Sequence, residues 1–355
     1  MPSLLSPSLH DLPRHADDRP PGAARACERQ TTSESCLPLQ ARKPCIAAVI
    51  VTRDRPALLA KAIAALQAQT RQCDAFYIVD NASASPTIAL LQPLDGCDRM
   101  TVLRSEINLG GTGGFSLGLQ RACADGHDWV WLLDDDAIAR PQALAALCDA
   151  LALLPADVTG ALCGAVREFD RLAVTHRRVF SALLGLERCF PEPAYAGLPV
   201  AIDTGSFVGF LVSARAVEAV GLPESAFFLA YDDTDYSLRL KRAGFGLWLV
   251  PNSIVDHLRL PEGRLRATAF ERKHYFNIRN RIVVRRRHAR LPALAALCAS
   301  VLGLGLLLAG QDRFQPNSWR ILLRAIGDGW HERLGGYPDT LATLAPWPST
   351  ANLTP

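Results

Sequence analysis

The 355-residue chain is longer than a typical single domain, and its 49% hydrophobic and 21% charged residues suit a globular protein with a sizeable core. Its ten cysteines stand singly, without a C-x-x-C pair or a zinc-ligand spacing, which argues against a disulfide framework and favours reduced thiols in a cytoplasmic compartment. The net charge is only +3, but residues 263–290 hold ten Lys or Arg against one acid, so we expect an anionic partner such as phosphate or a lipid headgroup, and no nucleic acid.

The first 43 residues are rich in Pro, Ser, Arg and Asp and show no sustained helical or strand period. We therefore expect a disordered N-terminal tail over residues 1–43. The stretch has no basic leader followed by an apolar run, so it is not expected to be a secretory signal.

From Cys45 onward, short apolar runs alternate with helical segments. The runs CIAAVIVT, FYIVD, TVLR and WVWLL are of strand length and apolar, which is typical of strands that are buried on both faces. Between the first two, PALLAKAIAALQAQT places four apolar residues on one helical stripe: Leu59, Ala62, Ile63 and Leu66. The pattern predicts an α/β fold, Rossmann-like, with a mainly parallel sheet and helices on both faces.

Three polar clusters directly follow three of these strands, at residues 52–54, 80–81 and 134–136. In a parallel sheet, ligands bind at the carboxyl ends of the strands. We therefore expect the clusters to share one site, although loops are often polar and any single cluster has that simpler explanation.

Asp134, Asp135 and Asp136 follow five large apolar residues, and adjacent carboxylates repel one another as they leave water. Because Asp134 and Asp136 are two residues apart at a strand end, their side chains can point the same way. Two such carboxylates form a hard-oxygen site for Mg²⁺ or Mn²⁺, and the cation would remove the repulsion. The alternative is a solvated turn, or an N-cap for the helix that follows.

Four glycines occupy five positions between Gly110 and Gly114, ahead of a predicted helix. They allow a ligand to approach the backbone closely and offer free N–H groups to a phosphate or sugar. Their spacing is neither that of a Walker loop nor that of the dinucleotide-binding G-x-G-x-x-G, so a flexible turn is the alternative.

The segment FFLAYDDTDYSLRLKRAG predicts a helix that starts near Asp232 and ends at Gly244. Asp232, Asp233 and Asp235 lie at its start, and simple capping by Asp232 or Asp233 would account for one of these acids. Asp233 is the candidate general base, since such a group must stay ionised and accept an alcohol proton. By spacing alone, His257 is a weak metal-ligand candidate, because a lone histidine is more often structural.

Taken in order, VIVTRDRPALLAKAIAALQAQT, IVDNAS, NLGGTGGF, WLLDDDA, YDDTDYSLR and IVDH resemble the motifs of family 2 glycosyltransferases of the GT-A fold. YFNIRNRIVV is similar to the galactofuranosyl- and rhamnosyltransferase-like branch. The resemblance implies an inverting enzyme that moves rhamnose or galactofuranose from a dTDP- or UDP-linked donor. The acceptor would be a hydroxyl of a glycan or lipid-linked glycan, and the cofactor Mn²⁺ or Mg²⁺.

The resemblance also implies roles for individual residues. Asp233 would be the catalytic base of a single in-line displacement, and Asp134, Asp136 and His257 would hold the metal. Asp80 would read the nucleobase. The full set implied to bind the nucleotide sugar is Thr52, Arg53, Asp80, Asn81, Asn108, Gly110, Gly111, Gly113, Asp135 and Asp232.

Two positions depart from the family pattern. Relatives often carry an aromatic residue and then Asn where this chain has Arg53 and Asp54, which leaves the nucleotide contacts of this loop open. Asp235 stands where many relatives have Glu. For Arg279 and Asn280, a position near the diphosphate and a surface charge role are both open.

Residues 291–310 contain no charge and directly follow the basic run RRRHAR. The stretch is long enough to span a bilayer, but its many Ala, Gly and Ser favour helices that pack against the body or lie on the membrane surface. The predicted organisation is a GT-A domain over 44–262, basic then apolar helices over 263–340 and a tail over 341–355. We expect the protein at the cytoplasmic face of the cell membrane, with a homo-oligomer as an open option.

Two other functions are compatible with parts of the sequence. A catalytically silent GT-A-like domain could bind a nucleotide or glycan at the membrane, but it would have no use for a base at Asp233. A sugar-phosphate nucleotidylyltransferase usually has a glycine-rich loop directly after its first strand, where this chain has TRDRPALL.

Overall fold

The computed structural model describes residues 43–97, 99–259 and 270–342. The predicted N-terminal tail up to residue 42, the predicted domain boundary at 262 and the C-terminal tail from residue 343 lie outside the described residues.

The strands of the described chain are β1 (Ile46–Thr52), β2 (Ala75–Asn81), β3 (Met100–Ser105), β4 (Trp129–Asp134), β5 (Ala137–Ala139), β6 (Thr159–Glu168), β7 (Arg171–Leu172), β8 (Arg177–Ser181), β9 (Leu186–Cys189), β10 (Val200–Ile202), β11 (Thr204–Gly205), β12 (Phe210–Ser213) and β13 (Gly246–His257). The helices of the same residues are α1 (Pro56–Gln67), α2 (Ser85–Leu91), α3 (Gly110–Ala124), α4 (Ala143–Leu151), α5 (Ala214–Val220), α6 (Asp232–Arg242), α7 (Arg272–His288), α8 (Pro292–Ala309), α9 (Pro316–Trp330) and α10 (Asp339–Ala342).

The main sheet has ten strands within the described residues. Eight of them run in the order β10-β13-β6-β12-β4-β1-β2-β3, while β5 pairs with β13 and β7 pairs with β6. The pairs β1–β2, β2–β3, β1–β4 and β6–β13 are parallel, whereas β12 is inserted antiparallel between β4 and β6. This mixed α/β architecture with a mostly parallel sheet confirms the predicted fold class.

Two apolar layers cover the sheet, one on each face. All seven residues of β1 are buried, and they alternate between the layers: Ile50 belongs to the layer that contains α1 and α4, and Val49 to the layer that contains α3 and α6. Successive side chains of a strand point to opposite faces, so a continuously apolar strand requires cover on both sides. The helix α1 begins at Pro56, and its buried residues are the predicted stripe.

A smaller sheet of three strands, in the order β11-β8-β9, lies beside α6. The turn between β8 and β9 docks on the C-terminal helices, where the N–H of Arg290 donates to the carbonyl of Ala182 at 2.7 Å. This small sheet carries side chains that surround the start of α6.

The helices α7, α8 and α9 pack around a core of their own that includes Ile278, Ile282, Ala299 and Leu322. These helices are the C-terminal helical region that the predicted fold class includes. Within the described residues, α8 is the one helix long and apolar enough to cross a membrane by length and composition.

Candidate active site

The three polar clusters that follow β1, β2 and β4 do meet at one edge of the sheet. The register pairs Thr52 with Asp80 and Val51 with Asp134, so the carboxyl ends of these neighbouring parallel strands are level. The predicted convergence of the clusters is therefore confirmed.

Asp135 is held by side chains that follow β1. The hydroxyl of Thr52 donates to Oδ2 of Asp135 at 2.7 Å, and Nε of Arg55 donates to the same oxygen at 3.1 Å. Arg55 also donates from Nη1 to Oδ2 of Asp136 at 2.8 Å. Burial raises the pKa of Asp135 to about 6, although Arg55 and Thr52 act against that shift. Arg55 thus neutralises part of the aspartate cluster, a role that the sequence analysis did not assign.

His257 reaches the aspartates because β13 pairs with β5, which directly follows them, and its register partner is Ala137. Nε2 of His257 lies 3.3 Å from Oδ1 of Asp136. The ligand atoms of Asp134, Asp136 and His257 all lie within 4.8 Å of one another. The structure therefore brings together the three residues that the sequence predicted as a metal-ligand set.

The electrostatics of this set follow from carboxylates crowded around one imidazole. Burial, followed by the neighbouring Asp136 carboxylate, raises the pKa of Asp134 to about 7. Burial alone would lower the pKa of His257, but the Asp136 and Glu168 carboxylates outweigh it and raise the pKa to about 10. Oδ1 of Asp136 is buried and lies against Nε2 of His257. Two carboxylates and an imidazole in this arrangement could hold a divalent cation.

Glu168, at the end of β6, supports His257 from behind. Its Oε1 lies 2.9 Å from Nδ1 of His257 and 3.1 Å from Nε2 of His176. Hydrogen bonds with the two histidines lower the pKa of Glu168 below its ordinary range. A carboxylate on the far nitrogen of a metal-ligating histidine fixes the tautomer and the ring orientation. Neither Glu168 nor His176 was predicted. Glu168 could have been found because β6, like β4, is an apolar strand that ends in a charged residue.

The side chains that follow β2 organise the glycine-rich segment. Nδ2 of Asn81 donates to the carbonyl of Gly110 at 2.8 Å, and Oδ1 of Asn81 accepts from the N–H of Leu109 at 2.7 Å. Oδ1 of Asn108 accepts from the N–H of Gly110 at 2.9 Å. Asp80, buried beside them, accepts from the N–H of Ser83 at 3.0 Å. Asn81 and Asn108 therefore shape the loop that leads into α3.

The glycines themselves lie inside α3 rather than ahead of it, which corrects the prediction. Gly110 has a φ of +73°, and a Cβ there would lie 2.1 Å from the carbonyl oxygen of Phe228. A Cβ on Gly113 would lie 2.6 Å from Cβ of Leu109, whereas Gly111 faces open space. Close packing thus explains Gly110 and Gly113, and Gly111 is the glycine that leaves backbone open to a ligand.

Arg53, the other predicted contact after β1, leans on its neighbour. Its Nε lies 3.6 Å from Oδ2 of Asp54, and this Nε makes no hydrogen bond with the described residues. Asp54 in turn accepts from the N–H of Ala84 at 2.6 Å. Arg53 is thus partly buried at the strand end, and its Nε–H remains available to donate a hydrogen bond.

Asp232 and Asp233 begin α6, next to the small sheet. Burial and the Asp233 carboxylate raise the pKa of Asp232 to about 7. Burial also raises the pKa of Asp233, and the Arg178 guanidinium acts in the opposite direction. Arg178 is held by Glu187, which accepts from its Nη1 at 2.9 Å. Asp233 is only partly buried.

Asp235 does not share this environment. It is buried and accepts from Nε2 of His288 at 2.9 Å and from Nε of Arg239 at 2.9 Å. Burial would raise the pKa of Asp235, but His288 and Arg239 outweigh it and lower the pKa. Asp235 therefore ties α6 to α7.

Arg279 and Asn280 are both fully buried, so the surface charge role considered for them is wrong. The three guanidinium nitrogens of Arg279 all donate to protein oxygens: Nε to Oδ1 of Asn280, Nη1 to the carbonyl of Gly335 and Nη2 to the carbonyl of Phe227. Their position in the core follows from the packing of α7 against the loop before α6.

Comparison with known proteins adds family evidence to this geometry. A family model described as "Glycosyltransferase like family 2" matches residues 43–295. The chain is 37% identical over 204 residues to galactofuranosyltransferase GlfT1 of Mycobacterium tuberculosis, a match that covers 56% of this chain. It spans 64% of the length of that relative. GlfT1 of Mycolicibacterium smegmatis is 33% identical over 253 residues, which cover 66% of this chain and 81% of the relative.

Solved structures agree on the fold. The crystal structure of GalNAc-T7 with UDP, GalNAc and Mn²⁺ matches with a TM-score of 0.54 and 15% identity, covering 68% of this chain and 47% of that one. The mannosyltransferase PcManGT from Pyrobaculum calidifontis, in complex with GDP-Man and Mn²⁺, matches with a TM-score of 0.52 and 13% identity, covering 85% of this chain and 92% of that one. At these identities the likeness concerns the GT-A fold alone.

Proposed function

The chain belongs to the glycosyltransferase like family 2 and is galactofuranosyltransferase-like, and from this membership we propose that it transfers a sugar from a nucleoside diphosphate donor to a hydroxyl group of a glycan. The observation that carries the proposal is the cluster of Asp134, Asp136 and His257 at the sheet edge. A separate, partly exposed acid, Asp233, at the start of α6 supports it.

Asp134, Asp136 and His257 are proposed to lie at the diphosphate of the donor, where they would hold a divalent cation. When bound there, Mn²⁺ or Mg²⁺ would neutralise the diphosphate and stabilise it as a leaving group. Thr52 and Arg55 hold Asp135 and thereby fix the short turn that carries Asp134 and Asp136. The nucleoside would lie over the ends of β1 and β2, with Asp80 available to accept a hydrogen bond from the base.

The remaining predicted contacts are assigned to the same donor. Arg53 and Asn81 would border the nucleotide, Asn108, Gly110, Gly111 and Gly113 would present the start of α3, and Asp232 would face the sugar.

Asp233 is proposed to act as the base. It would accept the proton of the acceptor hydroxyl while the oxygen lone pair forms a bond to the anomeric carbon and the bond to the diphosphate breaks. Attack opposite the leaving group inverts the anomeric centre. The raised pKa of Asp233 makes it a stronger base than an ordinary aspartate, and Arg178 opposes that rise and so favours the ionised form.

The proposed sugar is galactofuranose from a UDP-linked donor, and the support is the name of the similar proteins in two mycobacterial species. A rhamnose donor linked to dTDP is the competing outcome of the test. The acceptor would be a glycan or a lipid-linked glycan, since α8 provides an apolar surface close to the catalytic domain.

Membrane association is proposed for α8 and the segment that follows it. The face of α8 that includes Ala296 and Ala299 packs against the other helices, while Leu297 and Val301 are 52% and 59% exposed. Phe314, next to the exposed Arg313, continues this apolar surface towards α9. An apolar face bordered by arginines suits an anionic bilayer surface at the cytoplasmic side. Self-association through the same face is the alternative.

The proposal is tested by incubating the protein with UDP-galactofuranose, dTDP-rhamnose and UDP-glucose, each with Mn²⁺, Mg²⁺ or EDTA and a glycan acceptor. We expect a new glycosidic linkage of inverted configuration from UDP-galactofuranose only, in the presence of a metal. Donor hydrolysis without a linkage to the acceptor, from every donor, would contradict the proposal and favour a domain that merely binds the nucleotide.

A further inference from the structure

Residues 226–231, which lead into α6, have an unusual backbone. Phe228, Ala230 and Tyr231 all have positive φ, at 66°, 66° and 64°. This left-handed conformation is unfavourable for residues with a side chain, and three cases within four residues persist only where the surroundings hold the backbone in place. The segment 226–231 must therefore be fixed by contacts from elsewhere in the chain.

Those contacts come from two adjacent side chains of α7. Nδ2 of Asn280 lies 3.0, 2.8 and 2.8 Å from the carbonyl oxygens of Phe227, Leu229 and Ala230. Nη2 of Arg279 donates to the carbonyl of Phe227 at 2.9 Å. The left-handed backbone leaves these carbonyl groups without the hydrogen bonds of a helix or sheet. The amide of Asn280 and the guanidinium of Arg279 donate to them instead.

The orientation of the Asn280 amide follows from its neighbours. Oδ1 accepts from Nε of Arg279 at 2.7 Å, and three carbonyl oxygens surround Nδ2. The opposite orientation would place an oxygen against three oxygens and a donor against a donor. Arg279 and Asn280 therefore act as one unit, which also reaches the chain after α9 through the carbonyl of Gly335.

The segment 226–231 touches both halves of the proposed site. On the donor side, the carbonyl of Phe228 lies where a Cβ on Gly110 would be, and it accepts from the N–H of Thr112 at 3.4 Å. On the other side, Tyr231 caps α6, and Asp233 follows two residues later. A displacement of this segment would move the base relative to the start of α3.

We propose that Arg279 and Asn280 are positioning residues that hold the segment 226–231 and thereby place Asp233 for proton abstraction. The inference rests on the proposed function, because it takes Asp233 as the base. A misplacement of about 1 Å in an active site can lower the rate by about 10²-fold. The proposed metal ligands lie on other elements, at the ends of β4 and β13, so metal-dependent nucleotide binding should be retained.

The test uses the full chain with Asn280→Asp and Arg279→Lys. Asn280→Asp keeps the shape of the side chain and the oxygen that accepts from Arg279, but it removes the N–H donors. Arg279→Lys keeps the positive charge but loses the several N–H donors of the guanidinium. Ser300→Ala is the matched control, because it removes a buried hydrogen bond with Trp330 between α8 and α9 and does not touch the segment. We would measure kcat and KM well below the Tm of each variant, the Kd for UDP with Mn²⁺, and hydrogen exchange of residues 226–235.

Each substitution is expected to lower kcat by about 10²-fold, to leave the Kd for UDP with Mn²⁺ within about threefold, since its ligands are untouched, and to accelerate exchange in residues 226–235. Ser300→Ala should change none of the three, whatever its effect on Tm. Unchanged exchange in the segment, or a kcat equal to that of the control, would overturn the inference, and Arg279→Lys decides the matter if Asn280→Asp does not fold. A wild type that transfers no sugar would instead refute the proposed function. The exchange data would still test whether Arg279 and Asn280 hold the segment 226–231.

Discussion

The three consecutive aspartates differ in what surrounds them. Thr52 and Arg55 hold Asp135, and Arg55 also donates to Asp136. Asp134 and Asp136 share their space with His257. Arg55 and a protonated His257 supply positive charge next to the cluster, which limits the repulsion between neighbouring carboxylates. The triplet is therefore one residue that anchors the turn and two that are available to a cation.

Glu168 offers a test of the metal site that is independent of catalysis. Because it fixes the ring of His257, Glu168→Gln should weaken Mn²⁺ binding by about tenfold and Glu168→Ala by up to about 100-fold. The measurement is a Mn²⁺ titration of the UDP-bound protein by calorimetry. Asp170→Asn, at the exposed turn after β6, is the control and should bind like the wild type. Equal Mn²⁺ affinity in all four proteins would show that His257 does not ligate the metal.

Arg178 allows the base to be examined through pH. Its charge lowers the pKa of Asp233 against the effect of burial, so Arg178→Gln should raise that pKa further. A base works only above its pKa, and the acid limb of the kcat profile should therefore move to higher pH, with the plateau reached later. The exposed Arg188→Gln in β9 serves as the control. A limb that stays in place, or moves to lower pH, would argue that Asp233 is not the titrating base.

Local patterns in the sequence indicated candidate ionisable residues of the site, but not the residues that hold them in place. Asp134 and Asp136 could be proposed as metal ligands from their spacing at a strand end, whereas His257 was implied only by the resemblance to the family. Glu168 and Arg55 act through contacts 89 and 80 residues away along the chain, and no spacing rule encodes such pairs. For Arg279 and Asn280 a surface role stayed open beside a position near the diphosphate, because an arginine is seldom fully buried.

Among the elements, α3 shows why a glycine-rich motif needs its packing context. The sequence indicated a segment ahead of the helix that binds a phosphate or sugar, or else a flexible turn, but the glycines lie in the first turns of the helix. Gly114 and Gly118 approach Val51 and Val49 of β1 so closely that a Cβ would lie 2.5 and 2.4 Å from their methyl groups. Gly114 and Gly118 therefore allow α3 to sit on the sheet, while Gly111 faces open space.

The apolar helix α8 leads to a prediction about membranes. Leu297→Gln combined with Val301→Gln removes two exposed apolar side chains, and it should weaken binding to phosphatidylglycerol vesicles by at least about tenfold. Co-sedimentation measures the binding, and Leu153→Gln, at a still more exposed leucine after α4, is the control. Vesicle binding that is unaffected by the double substitution would contradict the surface role of α8. A fall in molecular mass from dimer to monomer would assign this face to a second copy.

Across the described residues, α7 connects the C-terminal helices to α6 and to the residues that precede it. Asp235 of α6 binds His288, Arg279 reaches the segment before α6, and Arg287 lies 2.5 Å from the Glu224 carboxylate. The alternation of strands and helices up to β4 could be predicted from periodicity. The insertion of β12 between β4 and β6, and the pairing of β5 with β13, could not, because they depend on long-range contacts.

The decisive measurement compares transfer and donor binding in Asp233→Asn. This change removes the basic oxygen at nearly constant shape and leaves Asp134, Asp136 and His257 intact. We expect kcat to fall by about 10²- to 10⁴-fold, while UDP with Mn²⁺ still stabilises the protein as it does the wild type. The control is Asp157→Asn, which changes an exposed acid between α4 and β6 and should retain full activity. A kcat of Asp233→Asn close to that of the wild type would contradict the account, because the transfer would then proceed without the proposed base.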